Sequence, residues 1–268
     1  MSVIEIVNAM PRSVAGATLA AIVAGLAWRL RSLSWSGALA AVLVGAAAAA
    51  AGWRWAALLI AWFVVSAALS SWRAAAREAR TRGVVAKRGA RDAVQVAANG
   101  ALFVGGALLN MRWPGAGWDV FALGALATAA ADTWATEIGT LAPHQPRSIL
   151  TLSPVVRGMS GGVTAVGTLA LVVGALAVAG GARLLGWPGT VVVPVALGGV
   201  VGALLDSILG ATIQERRRCN GCGAPTERQR HSCGSSTQRT GGIRWVSNDM
   251  VNVFSGVAGG ALAWLLSR

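Results

Sequence analysis

Tyrosine is absent from this 268-residue chain, and charge is scarce: only 12% of residues are Asp, Glu, Lys or Arg. So little charge, with 55% hydrophobic residues and a mean hydropathy of +0.60, excludes an ordinary soluble domain. Acids are the scarcer sign, ten against 23 Lys and Arg, which leaves a net charge of +13. Histidine and cysteine are nearly missing, and the three cysteines all fall in one short stretch.

What is present is apolar sequence. Runs long enough to cross ~30 Å of hydrocarbon recur at 13–29, 36–52, 54–72, 93–110, 118–140, 161–183, 190–213 and 249–266. They make eight spans, or seven if the short, Ala-rich second run does not cross. The expected fold is all-α: one polytopic membrane helix bundle over 1–268, with a Cys/His loop at 214–247 within it. Arg12 and the apolar run after it fit the start of a signal peptide. No small-x-small cleavage site follows, so the run is read as a retained first helix. The 35 Gly and abundant Ala predict close helix packing.

The positive charge is unevenly spread. The alternate loops 29–35, 73–91, 141–158 and 214–247 hold 18 of the 23 Lys and Arg; the others are Arg12, Arg54, Arg112, Arg183 and Arg268. The positive-inside rule places those four loops in the cytoplasm and both termini outside, in a bacterial inner membrane. Topology accounts for the charge, and no nucleic-acid partner is expected. The 73–91 loop reads as a basic helix on anionic headgroups. Of twelve Trp, those at span ends (Trp28, Trp35, Trp53, Trp55, Trp72, Trp113, Trp118, Trp187 and Trp245) read as an interfacial belt. Trp62, Trp134 and Trp264 lie inside spans and need packing partners.

Five acids sit in or beside apolar runs on the cytoplasmic side: Asp92, Asp132, Glu137, Asp206 and Asp249. A carboxylate at membrane depth is costly and marks a functional site. Asp132 and Thr136 share one helical face, and Glu137 lies about 140° around it, so one ion reaches both only if another helix closes the site. Asp206, followed by Ser207 and, on its own face, Gly210, supplies a second helix; Asn248, Asp249 and Asn252 open a third. Hard oxygen ligands suit Mg²⁺, here at Asp132, Glu137, Asp206 and Asp249. Asp92 and Asp249 also stand at helix starts, where an acid serves equally well as a cap.

A phosphorylated partner needs cations and free amides. Arg157-Gly158-Met159-Ser160-Gly161-Gly162 leads into a helix N-terminus, the physics of a phosphate cradle without a Walker pattern; packing glycines in a loop are the alternative. Arg147 and Arg157 lie close by to clamp phosphate. Lys87 and Arg91 precede Asp92, Gln95 and Asn99, which run along one face of the fourth span. Cys219-x-x-Cys222 followed by His231-x-Cys233 has zinc-knuckle spacing. It forms either a closed structural zinc site or free thiols in a mobile loop, a disulfide being disfavoured in a reducing compartment.

These stretches, namely Gln95 to Gly100, Ala131 to Gly139, Pro146-Arg147, Arg157 to Thr164, Asp206 to Gln214 and Asn248-Asp249-x-Val251-Asn252, resemble in order the core of one membrane family. It comprises the plant phytyl-phosphate kinases, the animal transmembrane protein 19 and many bacterial and archaeal proteins, and the resemblance covers roughly residues 15–266. It implies an enzyme, an isoprenyl-phosphate kinase moving a phosphoryl group from a nucleoside triphosphate, CTP in the plant members, to a membrane-anchored isoprenyl monophosphate. In that reading Asp132, Glu137, Asp206 and Arg157 carry catalysis with Mg²⁺. Lys87, Arg91, Gln95, Asn99, Thr136, Arg147, Gly158, Ser160, Gly161, Gly162, Ser207, Gly210, Gln214, Asn248, Asp249 and Asn252 bind substrate or nucleotide. Another CTP-dependent lipid-phosphate transferase and a non-enzymatic transporter are the alternatives. The isoprenoid, the donor base and the oligomeric state are not encoded in any motif.

Overall fold

The computed structural model describes residues 12–87 and 89–268; the expected external N-terminal tail lies outside them. The long helices follow the apolar runs: α1 (Arg12–Arg29), α2 (Trp35–Ala51), α3 (Trp53–Ser71), α5 (Ala93–Arg112), α6 (Trp118–Gly139), α7 (Ala165–Leu184), α8 (Val192–Thr212) and α9 (Asn248–Leu266). The basic 73–91 loop carries a short helix, α4 (Ala74–Arg80). Among the described residues, α3, α5, α7, α9 and α8 with the 3-10 turn before it are long and apolar enough to cross a membrane. The apolar parts of α1 and α2 are shorter.

Helix α6 is absent from that set because Asp119, Asp132 and Glu137 interrupt its apolar sequence. It does not need lipid-facing apolarity. It packs against α3, α5, α7, α8 and α9, and Ala122 to Ala131 are all buried. A central helix can carry acids because its neighbours, not lipid, surround it.

The expectation of an all-α chain needs one correction. The 141–158 loop with the turn after it forms a two-stranded ribbon, β1 (Arg147–Ser148) against β2 (Gly162–Val163). The 214–247 segment is a small antiparallel sheet, β4-β3-β5, built from β3 (Arg216–Cys219), β4 (Pro225–Thr226) and β5 (Thr237–Gly241). It is an ordered cap. Thr226 Oγ1 donates to Gly83 O (2.6 Å) and Glu227 N to Val84 O (2.9 Å), which docks the cap on the loop after α4. The four basic loops thus meet at one end of the bundle: Ser34 N donates to Arg91 O, and Arg80 to Leu141 O.

The tryptophans divide. Trp28, Trp35, Trp53, Trp72, Trp113 and Trp245 are exposed, as a belt requires. Trp55 and Trp187 are not in the belt: both are buried, their rings 5.0 Å apart and edge-on, with Phe103 against Trp55 and the Arg54 guanidinium over Trp187 at 4.3 Å. The indole quadrupole favours both contacts. Of the three inside helices, Trp264 donates to Ala116 O at 2.8 Å, whereas the Trp62 and Trp134 N–H groups are buried without a partner among the described residues.

Candidate functional site

Three small-residue stripes bring the acids together. On α8, Gly198, Gly202, Asp206 and Gly210 recur every four residues and share one face; on α6, Gly124, Thr128, Asp132 and Thr136 do the same. On α9 the stripe is Asn252, Ser255, Gly256, Gly259 and Gly260. A Cβ at Gly202 or Gly259 would run into the Thr128 side chain, so the three helices approach closely only because these positions are glycine. One turn beyond that contact stand Asp132 and Asp206.

Asp206 is buried and held from α9. Ser255 Oγ donates to its Oδ2 at 2.8 Å, and the Asn252 amide, in its hydrogen-bonded orientation, donates to the same oxygen at 3.1 Å. Asp132 lies close enough to Asp206 to interact electrostatically, and Glu137 close enough to Asp132. Ser207 and Thr136, the hydroxyl residues of the same turns, have no such partner role in view: Ser207 is half-buried and Thr136 exposed.

The other two expected ion ligands have found cations instead. Glu137 pairs with Arg77 Nε at 2.7 Å and accepts from Ser70 Oγ at 2.5 Å, while Arg91 donates to that same Ser70 Oγ at 2.8 Å. Asp249, buried in the first turn of α9, pairs with Lys87 Nζ at 2.6 Å; Lys87 also reaches Asp92 at 2.8 Å. Among the described residues, no three of these carboxylates lie within one ligand shell.

Asp92 caps α5: its side chain accepts from Gln95 N at 2.9 Å, and Gln95 Oε1 accepts from Asp92 N at 3.1 Å. Burial pushes its carboxyl up, but hydrogen bonds from Lys87 and Gln95 outweigh this and hold it below the usual carboxylate range. Burial likewise pulls the Lys87 ammonium down, and its bonds to Asp249 and Asp92 more than reverse that. Asn99 donates to Gln95 O at 2.8 Å. Arg91, Gln95 and Asn99, with Thr133 of α6, form the polar end of a cleft whose other walls are apolar, among them Leu19, Val44, Leu59 and Phe63.

The glycine turn is occupied differently from a bare phosphate cradle. Ser160 N (3.0 Å) and Oγ (2.6 Å) both donate to Glu227 Oε1 from the cap, and Gly161 and Gly210 bring the turn and α8 into contact. Gly158 backs onto Thr81, and Gly162 onto Val155. The turn thus binds an anion, but a carboxylate of the same chain. Burial pushes the Glu227 carboxyl up, against the two Ser160 bonds. Arg157 is no open clamp either: its guanidinium donates to the carbonyls of Ala142 (2.7 Å), Pro143 (2.9 Å) and His144 (2.8 Å), closing the C-terminal end of α6. Arg147 is exposed and donates to Leu152 O at 2.8 Å. Nothing in spacing alone reveals these long-range partners.

In the cap, the ligand atoms of Cys219, Cys222, His231 and Cys233 all lie within 4.8 Å of one another. Cys219 and Cys233 sulfurs are 3.4 Å apart, and His231 Nδ1 is 3.4 Å from Cys222 and 3.2 Å from Cys233. The cysteines are free thiols. Bonds of ~2.3 Å to sulfur and ~2.0 Å to nitrogen in a tetrahedron require edges close to these. The His231 ring holds the Cys233 thiol down to about 6, which favours the thiolate a metal needs. Gln214, expected at the substrate or nucleotide, is buried at the start of the cap with its Oε1 unpaired among the described residues, and it lines a polar cavity together with Asn248.

Residues 18–260 match the model of the family described as integral membrane protein DUF92. The chain is 32% identical over 231 residues to Protein PGR of Arabidopsis thaliana, covering 75% of this chain and 79% of that one. It is 29% identical over 168 residues to an uncharacterized membrane protein of Methanocaldococcus jannaschii, covering 62% and 67%. A Synechocystis membrane protein, also uncharacterized, is 32% identical over 172 residues, covering 62% and 65%. No solved structure matches. With almost its whole length matched and the acid-bearing helices inside the match, the chain belongs to the DUF92 integral membrane family.

Proposed function

We propose that this protein is a membrane-embedded isoprenyl-phosphate kinase, transferring a phosphoryl group from a nucleoside triphosphate to a lipid monophosphate. The observation that carries this reading is that Asp132 and Asp206 stand one turn beyond the close contact of α6 and α8 at Thr128 and Gly202, and that α6 also supplies Thr133 to the apolar cleft. An apolar cleft with a polar end fits an isoprenoid tail and its phosphate. In this reading Arg91, Gln95 and Asn99, which line the cleft, hold that phosphate, Arg91 as a fixed cation and the amides as donors.

Two anions must meet, so charge neutralisation dominates the barrier. Asp132 and Asp206 would hold Mg²⁺, which would supply that neutralisation as a Lewis acid. An oxygen of the acceptor phosphate attacks the γ-phosphorus, the bond to the bridging oxygen breaks, and a nucleoside diphosphate leaves. The acceptor oxygen is already anionic at neutral pH, so no general base is needed. Ser255 and Asn252 orient Asp206, and Glu137 aligns Arg77, Ser70 and Arg91.

In this reading all eight long helices cross the membrane, the four contacting basic loops face the cytoplasm by the positive-inside rule, and the cap holds a structural zinc. The test is to incubate purified protein with labelled CTP or ATP and a panel of isoprenyl monophosphates. Mg²⁺-dependent appearance of a diphosphate lipid, abolished in Asp132→Asn, supports the reading; release of inorganic diphosphate with a nucleotidyl lipid instead assigns a nucleotidyl transfer. Full activity in Asp132→Asn removes the reading.

A further inference from the structure

The cap and the cytoplasmic ends of α8 and α9 enclose a second cavity, of about 520 Å³, separate in its walls from the apolar cleft. That volume is in the range of small-ligand sites, roughly 300–1,000 Å³. Its lining is polar and rich in arginine: Arg217, Arg228, Arg230 and Arg244. Arg217 is fixed by Glu215 and by Thr237, and Arg230 Nε donates to Gly234 O. The Arg228 and Arg244 side chains have no partner among the described residues, while the cavity's two carboxylates do: Glu215 has Arg217 and Glu227 has Ser160. The cavity therefore presents uncompensated positive charge.

A second feature points to what the charge is for. Gln214 is only 3% exposed, lines this cavity, and its Oε1 has no hydrogen-bond donor among the described residues. A buried acceptor without a donor is unusual in a native structure and calls for a ligand or ordered water. The exposed Trp245 indole stands in the same wall. Free guanidiniums suit phosphates, a buried amide oxygen suits an amino or hydroxyl donor, and an indole suits a planar ring. A phosphate bearing a base and a sugar has all three.

We infer that this cavity is a nucleotide site, with Arg228 and Arg244 holding phosphate charge and Gln214 accepting from the base amino group or a ribose hydroxyl. The inference rests on the kinase reading for its role as the donor site, and on the cavity alone for binding. Gln214 lies two residues past the end of α8 at Thr212, itself about 9 Å along the helix from Asp206 at ~1.5 Å per residue. A nucleoside triphosphate spans that distance.

The experiment is equilibrium dialysis of the purified full chain with labelled CTP and ATP, Mg²⁺ present and no lipid acceptor. It compares wild type, Arg228→Ala with Arg244→Ala, and Gln214→Leu, each checked for zinc content and helical melting. The expected result is saturable nucleotide binding, weakened roughly tenfold or more in the arginine pair and also weakened in Gln214→Leu. Unchanged affinity in the folded variants overturns the site, as does failure of nucleotide to bind while vesicles of anionic lipid do so through the same arginines. Binding that the variants lose, with no transfer to any isoprenyl phosphate, keeps the cavity and removes the kinase. Transfer with an unaltered nucleotide KM in the variants keeps the kinase and removes the cavity.

Discussion

Ser255 on α9 donates its hydroxyl to Asp206 on α8 at 2.8 Å, the bond that holds a buried carboxylate in place between two helices. Removing the donor leaves a buried carboxyl group short of one partner. Ser255→Ala is expected to cost about 1–3 kcal/mol of stability and to lower turnover more than it raises the acceptor KM. Thermal melting in detergent with a kcat against KM split checks this. Unaltered kcat at normal acceptor concentration would remove Ser255 as a positioning residue.

The glycine stripe makes a steric prediction. Gly259→Val must push against Thr128, and Gly202→Val against Thr128 and Gly259. Each is expected to destabilise the bundle by about 1–3 kcal/mol. Gly180, with open space where a Cβ would go, is the control, and Gly180→Ala should melt at or above the wild-type temperature. Equal melting of Gly202→Val and Gly180→Ala would mean that α6, α8 and α9 do not pack in this way.

Arg91 is set by backbone as well as by Ser70. Its N–H donates to Ser32 O and its C=O accepts from Ser34 N, both at 3.0 Å, and a Cβ on Gly37 would collide with that carbonyl. Gly37→Ala is therefore expected to displace Arg91 and raise the acceptor KM, leaving the nucleotide KM unchanged. Steady-state kinetics in both substrates separates these.

Cap stability should depend on pH through Glu227. Its pKa in the fold is raised above the ordinary 4.5 by burial. A raised folded pKa means a contribution that is complete below 4.5 and lost as pH rises through the folded value. Glu227→Gln keeps an acceptor for Ser160 without the charge. Its melting temperature is expected to exceed that of the wild type at neutral pH and to converge with it in acid. Parallel pH profiles for the two proteins would contradict the burial of this carboxylate.

The cap's thiols predict one zinc per chain. Cys233→Ser, which removes one of the four clustered ligands, is expected to lose the metal and to open 214–247 to protease, with the helices intact. Metal analysis and limited proteolysis check both. Proteolytic resistance in metal-free protein would mean that the sheet holds the cap without an ion.

How much of this could be read beforehand follows from the range of each interaction. Helix positions were legible because a membrane span is a local property of about twenty residues. Asp132 and Asp206 were legible as candidates because each shares a helical face with a residue four positions on, Thr136 and Gly210. The Cys and His grouping was legible from spacing, and the four side-chain atoms do cluster. The β-sheet of the cap was not, since Arg216 to Cys219 has no apolar alternation to mark a strand. Nor were the partners of Glu137, Asp249 and Arg157, which come from Arg77, Lys87 and the 142–144 carbonyls. Those pairings arise only when distant segments meet, so an acid that looks like an ion ligand in the chain becomes one half of an ion pair in the fold. Trp55 and Trp187 illustrate the same limit: a position at a span end says nothing of whether a neighbouring loop covers it.

The most direct test of the paired carboxylates is electron paramagnetic resonance of Mn²⁺ substituted for Mg²⁺ in nucleotide-loaded protein. Wild type is expected to bind one nucleotide-dependent Mn²⁺, and both Asp132→Asn and Asp206→Asn to lose it while melting as folded proteins. Retention of that ion in both variants would contradict a divalent-cation site between α6 and α8.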